Sequence, residues 1–351
     1  MQDKSGKKRS FFHKQSFSKD YDPHYLVSDY KNLSIGFSSN PLHRRTGSSG
    51  GVGTEISGFL LENKIVETVI GVGFSHNRPY LPEYQAVRHK GDVRKISGSK
   101  YVYMEFDPLK MLIDSEKEKR TAVFLQPCFV RAVRQMQKKG YTNIKYIISF
   151  FCGYNITGEA TEYLIRRTGI RKEDIDEMAY RWGEYPGGFM VRAIDGRVVR
   201  FGKECYELVD LMFLRKGCKK CSLYMGEGAD IVLGDAWINS LKNTSVVMAR
   251  TDAGLALIER MKRENKIELY GIKERELVRM HWHNLKYKKY GMGFCLNFIH
   301  QIVKIKVIRR VIPFRLLMFL SKLRRKWAIG IDVDLGNGPL VPTDRKQKDE
   351  P

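Results

Sequence analysis

The chain has 351 residues, 62 Lys and Arg against 39 Asp and Glu, a net charge of +23 and 42% hydrophobic residues. That apolar fraction can fill a core and excludes a mostly disordered chain, while six Cys over this length exclude a small disulfide-stapled secreted domain. No run of 18 apolar residues offers a spanning helix, and the first twenty residues lack the apolar stretch of a secretory signal, so a cytoplasmic protein with reduced thiols is expected.

Residues 1–30 are polar and basic without a clear period and read as a flexible arm. From Leu33 the pattern becomes α/β. The turn Thr46-Gly47-Ser48-Ser49-Gly50-Gly51 precedes Val52, Ile56, Phe59 and Leu60, whose spacing marks one face of a helix, and a strand-like run follows over residues 65–74. A Gly-Ser turn feeding a helix offers backbone N–H groups and the positive helix end to an anion such as phosphate, although a flexible loop before an ordinary helix has the same composition. Thr121–Gln126 reads as a buried strand, Phe129, Val130, Val133 and Met136 as a helix face, and Ile144–Phe151 as a second strand. This strand-helix-strand unit requires parallel strands and a right-handed crossover. Cys128 and Cys152 then emerge at the carboxyl ends of those strands, the edge where open α/β sheets bind ligands.

Further helices are expected over residues 157–169, 203–217 and 252–265, the last capped by Thr251 or Asp252. A hairpin turning at Asp195-Gly196 spans 187–202, and strands are expected at Ala229–Asp235 and 267–272. His281, Trp282 and His283 invite a metal or stacking reading, but alternate residues on a strand point the same way without making a site. Arg181 and Trp182, beside Gly183, either border a substrate cleft or form a packed aromatic with a covering Arg.

Cys128, Cys152 and the pair Cys218 and Cys221 form the only constellation with metal-ligand chemistry, whereas Cys205 and Cys295 lie inside helical patterns and read as core. Four thiolates suit a 4Fe-4S cluster and also suit zinc, and scattered buried thiols would look no different. Structural zinc usually recruits two compact pairs, so one pair joined by two distant singles leans toward the cluster.

These residues resemble a known family. The Gly-Ser turn before an apolar helix, Ser97–Tyr101, Phe124–Cys128, Phe150–Gly153, the Arg-x-x-Cys-x-x-Cys run from Arg215 and Ala229–Trp237 are similar to the coenzyme F(420) hydrogenase/dehydrogenase beta-subunit family, which includes bacterial members encoded with polysaccharide biosynthesis genes. The resemblance covers roughly residues 33–270. It implies a flavin (FAD or FMN) beside a 4Fe-4S cluster, and electron passage between a carrier, whether a deazaflavin such as coenzyme F(420), a ferredoxin or another donor, and a substrate or partner. It also implies cluster ligation by Cys128, Cys152, Cys218 and Cys221. Thr46, Gly47, Ser48, Ser49, Gly50, Gly51, Ser99, Lys100, Tyr101, Gly234 and Asp235 would line the flavin pocket, with Lys100 supporting the charge of the reduced ring and Asp235 binding a ribityl hydroxyl. A plain surface lysine and a strand-end cap are the ordinary alternatives for those two. The sequence departs from the family in two places: no Cys precedes Cys128, and Leu125-Gln126 stands where a glycine is usual.

The expected fold class is α/β, with a mixed, largely parallel sheet flanked by helices over residues 31–275, a basic apolar helical extension over 276–327 and a disordered tail over 328–351. Residues 281–327 hold twelve Lys and Arg and no acid, and residues 294–327 are apolar between their charges. That pattern suits an anionic membrane surface better than nucleic acid, and it equally suits packing onto the core with the charges in water. Two further function classes compete with the oxidoreductase: a nucleic-acid-binding protein with a four-cysteine zinc site, and a non-catalytic scaffold at the membrane surface.

Overall fold

The computed structural model describes residues 22–290. Helix α1 (Pro23–Val27) and strand β1 (Asn32–Ser38) lead through α2 (Pro41–Thr46) to α3 (Val52–Glu62) and β2 (Thr68–Phe74). There follow β3 (Pro82–Val87), α4 (Phe106–Ser115), β4 (Thr121–Leu125), α5 (Pro127–Lys138) and β5 (Ile144–Phe150). An insertion then runs from α6 (Gly158–Thr168) through β6 (Ile175–Trp182), β7 (Gly188–Ala193) and β8 (Val198–Phe201) to α7 (Glu204–Phe213). Strands β9 (Ile231–Asp235) and β10 (Ser245–Ala249), helix α8 (Asp252–Arg263), strand β11 (Ile267–Gly271) and helix α9 (Glu274–Tyr290) complete the described chain.

Eight strands form one sheet in the order β11-β1-β10-β9-β5-β4-β2-β3. Its centre is parallel: β2 pairs with β4, β4 with β5, and β5 with β9. The antiparallel strands β10, β11 and β3 lie outside this centre, which makes the sheet mixed. Every residue of β4 is buried, as a strand covered on both faces requires. Proline ends β4 without cost because Pro127 is the first residue of α5, where its missing N–H would have no partner.

The two faces bury separate cores. Leu33, Ile35, Val123, Ile147 and Val246 meet Val130 and Val133 of α5 and Leu277, Val278 and Leu285 of α9 on one side. Val69, Phe124, Ile148 and Leu233 meet Ile56, Phe59 and Leu60 of α3 and Ile258 of α8 on the other. The insertion has its own three-stranded sheet, β6-β7-β8, and its own core around Tyr180, Phe189, Val191 and Cys205. The hairpin turn falls at Asp195-Gly196 as expected, with Gly196 at φ +85°.

The structure corrects two readings of local structure: the last part of the expected flexible arm 1–30 holds α1, with Leu26 and Val27 buried in the core, and the strand reading of His281 and His283 fails. His281 and His283 lie in a helix, α9, and point apart, His281 buried and His283 exposed. Leu277, Val278, His281 and Leu285 follow helical spacing along one buried face, a signal that three alternating residues were too short to counter. The helix starts at Glu274 and so runs through residue 276, where the extension is expected to begin. Cys295, the stretch 294–327 expected to suit a membrane surface, the expected tail 328–351 and most of the arm 1–30 lie outside the described residues. Among the described residues no helix is long and apolar enough to cross a membrane.

Candidate active site: a cleft and four thiols at one sheet edge

A cleft of about 370 Å³ opens at the carboxyl edge of the parallel strands, a size within the range of small-molecule sites. Its floor is made by the ends of β4, β5 and β9, at Leu125, Phe151 and Gly234. Its wall is the Gly-Ser turn and the first turn of α3, from Gly47 to Thr54. Gly51 stands at φ +72°, and a Cβ there would lie 2.3 Å from the His43 carbonyl oxygen, so only glycine permits this entry into the helix. No side chain caps α3, which leaves its first N–H groups at the cleft with the positive end of the helix dipole.

The turn is held from behind. Ser245 Oγ accepts from the Gly50 amide at 3.0 Å and lies 2.8 Å from Ser49 Oγ. Ser48 Oγ accepts from the Ser99 amide at 2.5 Å, joining the turn to the Ser97–Tyr101 segment. Beneath it, Glu55 Oε2 bonds His43 Nδ1 at 2.7 Å and the Ser38 hydroxyl at 2.6 Å, a buried polar group whose members satisfy one another.

Most of the expected pocket residues do line the cleft: Gly47, Ser48, Ser49, Gly51, Ser99, Lys100, Tyr101, Gly234 and Asp235. Thr46 and Gly50 do not. The Thr46 hydroxyl donates to the Leu42 carbonyl, and a Cβ on Gly50 would lie 2.4 Å from the Gly36 carbonyl oxygen. Glycine at 50 thus allows the turn to lie on β1, a packing reason rather than an approach to ligand. The Lys100 amine donates to the carbonyls of Ser97 and Gly98 at 2.6 and 3.2 Å, and burial pushes its pKa down to about 7. Its amine is thus turned back onto its own loop, half-buried at the cleft wall.

Asp235 does not act as a simple cap either. Its Oδ2 lies 2.6 Å from Nη1 of Arg181, whose side chain is 3% exposed. Arg181 reaches across from β6, donates through Nε to the Pro186 carbonyl at 2.6 Å, and lines the cleft, whereas Trp182 turns away and stacks under Arg200. Burial opposes the Arg181 charge, but the Asp235 carboxylate outweighs it and holds the guanidinium protonated.

Two contributors to the cleft were not expected there: His281, set aside as a site residue, and Asn284, not singled out at all. His281 and Asn284, one turn apart on α9, both line it. His281 Nδ1 pairs with the Tyr224 hydroxyl at 2.7 Å, and burial pushes its pKa down to about 4, which leaves the ring neutral at pH 7. Their signal was the helical face of α9, legible only if the period is measured over the whole segment.

The four thiols meet at the same edge. Cys128 is the second residue of α5, Cys152 follows β5, Cys218 lies within a helical turn over Lys216–Lys220, and Cys221 directly follows that turn. Desolvation first, then Cys221 and Cys218, pushes the Cys128 thiol up to about 11. Burial pushes Cys152 up to about 12, with Cys218, Cys128 and Cys221 adding to the shift. The thiols are thus within electrostatic reach of one another, although among the described residues no three His, Cys, Asp or Glu converge on one point as a single metal ion requires. Cys205 is buried in the insertion, as its helical pattern predicts.

Residues 34–110 match the N-terminal family model, and residues 118–275 the C-terminal family model, of the coenzyme F(420) hydrogenase/dehydrogenase beta subunit. No curated protein matches the chain. In fold it is similar to a chain in the xenon-derivatised F(420)-reducing nickel–iron hydrogenase complex from Methanosarcina barkeri, at 16% identity and a TM-score of 0.56, over 89% of this chain and 98% of that one. The two matched regions take in the Gly-Ser turn, all four thiols and Asp235, and the protein belongs to the coenzyme F(420) hydrogenase/dehydrogenase beta-subunit family.

Proposed function

We propose that the protein is an oxidoreductase that holds a flavin, FAD or FMN, in the cleft and a 4Fe-4S cluster on Cys128, Cys152, Cys218 and Cys221. It passes electrons between an external carrier, a deazaflavin such as coenzyme F(420), a ferredoxin or the like, and a substrate or partner. The observation that carries this reading is Cys152, which belongs to the thiol group and also lines the cleft, so the two sites share a wall. The donor set supports a cluster in its chemistry: four thiols, within electrostatic reach of one another, are the ligands that a 4Fe-4S cluster takes.

When bound, a flavin supplies two-electron hydride chemistry and a cluster one-electron transfer, which together convert one into the other. The uncapped amides of α3 hold an anionic group such as a flavin phosphate. The Ser245, Ser49 and Ser48 contacts keep that turn in place without reorganisation. Lys100, poised near neutrality against the cleft wall, holds or releases a proton there at little cost. Neutral His281 and the Arg181–Asp235 pair set the polar groups deeper in the site.

Anaerobic purification followed by a visible spectrum and analysis for iron, sulfide, zinc and flavin tests the reading. Iron and labile sulfide in equal amounts with bound flavin are expected; zinc without iron would overturn the cluster, and colourless protein that quenches neither FMN nor FAD fluorescence would overturn the flavin.

A further inference from the structure

The charge of the described residues is unevenly placed. Four segments carry or border the thiols: residues 126–139, 150–158, 214–226 and 277–290. Together they hold twelve Lys and Arg and no Asp or Glu, while the other residues between 22 and 290 hold 32 of each sign. The whole net charge of this part of the chain therefore belongs to the segments around the thiols.

Several of these cations reach the surface beside the sulfurs. Lys216 and Lys220 are exposed in the turn that holds Cys218, and Arg131 is exposed one helical turn after the exposed Cys128. Lys286 is exposed on α9, next to Tyr287, whose hydroxyl donates to the Cys218 carbonyl at 3.2 Å. Arg215 lies over the Tyr103 ring at 3.6 Å. Two apolar side chains, each 37% exposed, lie by the same segments: the Tyr154 ring is 6.1 Å from that of Tyr287, and Leu223 follows Cys221 by two residues. The Tyr154 hydroxyl is taken by Asp210, an acid from the insertion that flanks this face.

We propose that this face docks a small acidic electron-carrier protein, with Arg131, Lys216, Lys220 and Lys286 steering its approach and Tyr154 and Leu223 forming the dry centre of the contact. The proposal rests on the reading of the four thiols as a cluster site and adds the surface and the charge of the partner. A ring of one sign speeds encounter and fixes orientation, and its effect is screened by salt. A carrier seated here brings its redox centre over the thiols rather than over the cleft, which leaves the cleft open for a small molecule.

The test uses full-length protein immobilised anaerobically, with an acidic 2Fe-2S ferredoxin as the probe and a basic cytochrome c as the control. Ferredoxin binding is expected at 50 mM salt and to weaken by about 10-fold or more at 200 mM, with no binding of cytochrome c. Lys216→Glu, Lys220→Glu and Lys286→Glu together should weaken binding by about 10-fold, mainly in the association rate. Because two of those positions adjoin Cys218 and Cys221, Arg131→Glu with Lys286→Glu forms a second variant, expected to lose several-fold while iron content is unchanged. Absence of ferredoxin binding, or binding by both variants equal to that of the unaltered protein, overturns the docking face. Equal loss of affinity by the variants for duplex DNA or anionic vesicles also overturns it, since the face would then be a general anion binder. Iron-free protein that still binds ferredoxin in a charge-dependent way supports the face and counts instead against the cluster.

Discussion

The wall of the cleft is made largely of backbone, held by Gly51 at φ +72° and by the hydroxyls of Ser48, Ser49 and Ser245, whereas the thiol face is made of side chains from four separate segments with no acid among them. Backbone donors fixed by turns recognise an anion through geometry and need no charged residue. Thiols need their neighbours' charge and burial to be set correctly, because a thiolate and not a thiol binds metal. One sheet edge thus presents a near-neutral cleft and a basic thiol face, and Cys152 belongs to both.

Breaking the thiol side should have the largest effect. Cys152→Ser, and equally Cys128→Ser, Cys218→Ser or Cys221→Ser, is expected to abolish iron binding, measured as iron per chain, whereas Cys205→Ser should leave it intact. If Cys205→Ser also abolishes it, the separation of core thiol from ligand is wrong.

On the cleft side, Asp235→Ala leaves the Arg181 guanidinium buried without its counter-ion and should cost about 3–5 kcal/mol in urea unfolding. Arg181→Met should cost less, because removing the buried charge leaves only the more exposed Asp235 to be resolvated.

A smaller effect appears with pH. The His281 pKa is depressed by burial, to about 4 in the folded state against the ordinary value of 6.5, so the unfolded chain binds the proton first. The stability present above pH 6.5 is therefore lost as pH falls toward 4, by up to about 3 kcal/mol. His281→Leu should flatten that part of the pH–stability curve, and an unchanged curve would sink the assignment.

Gly51→Ala is expected to cost about 1–2 kcal/mol from the left-handed backbone alone, and more through the approach to the His43 carbonyl. If flavin is bound through this turn, the same variant should weaken flavin more than it weakens iron retention. Equal losses would mean that the two sites are not built independently.

The parallel unit of β4, α5 and β5 was legible because its apolar runs and its Pro127 punctuation are local, and the thiols at its ends followed from the topology of a crossover. That Thr46 and Gly50 stand off the cleft was not legible for the opposite reason: both sit inside a turn whose composition suits a ligand, and only the position of β1 shows how closely Gly50 packs on it. His281 was set on a strand because three residues cannot define a period.

What the sequence by itself determined is the chemistry available and its local order: a glycine-bearing turn before a helix, thiols after strands, and a basic segment without acids. Each follows from neighbours within a few residues, where backbone sterics and spacing act. Only the tertiary structure decided which distant groups meet. Arg181 reaches Asp235 across 54 positions of sequence, α9 turns His281 and Asn284 into the cleft, and Ser245 holds a turn almost 200 residues earlier. Such pairs leave no local trace, because the free energy that joins them comes from burying two sheet faces and the core of the insertion, and no single segment carries that energy alone.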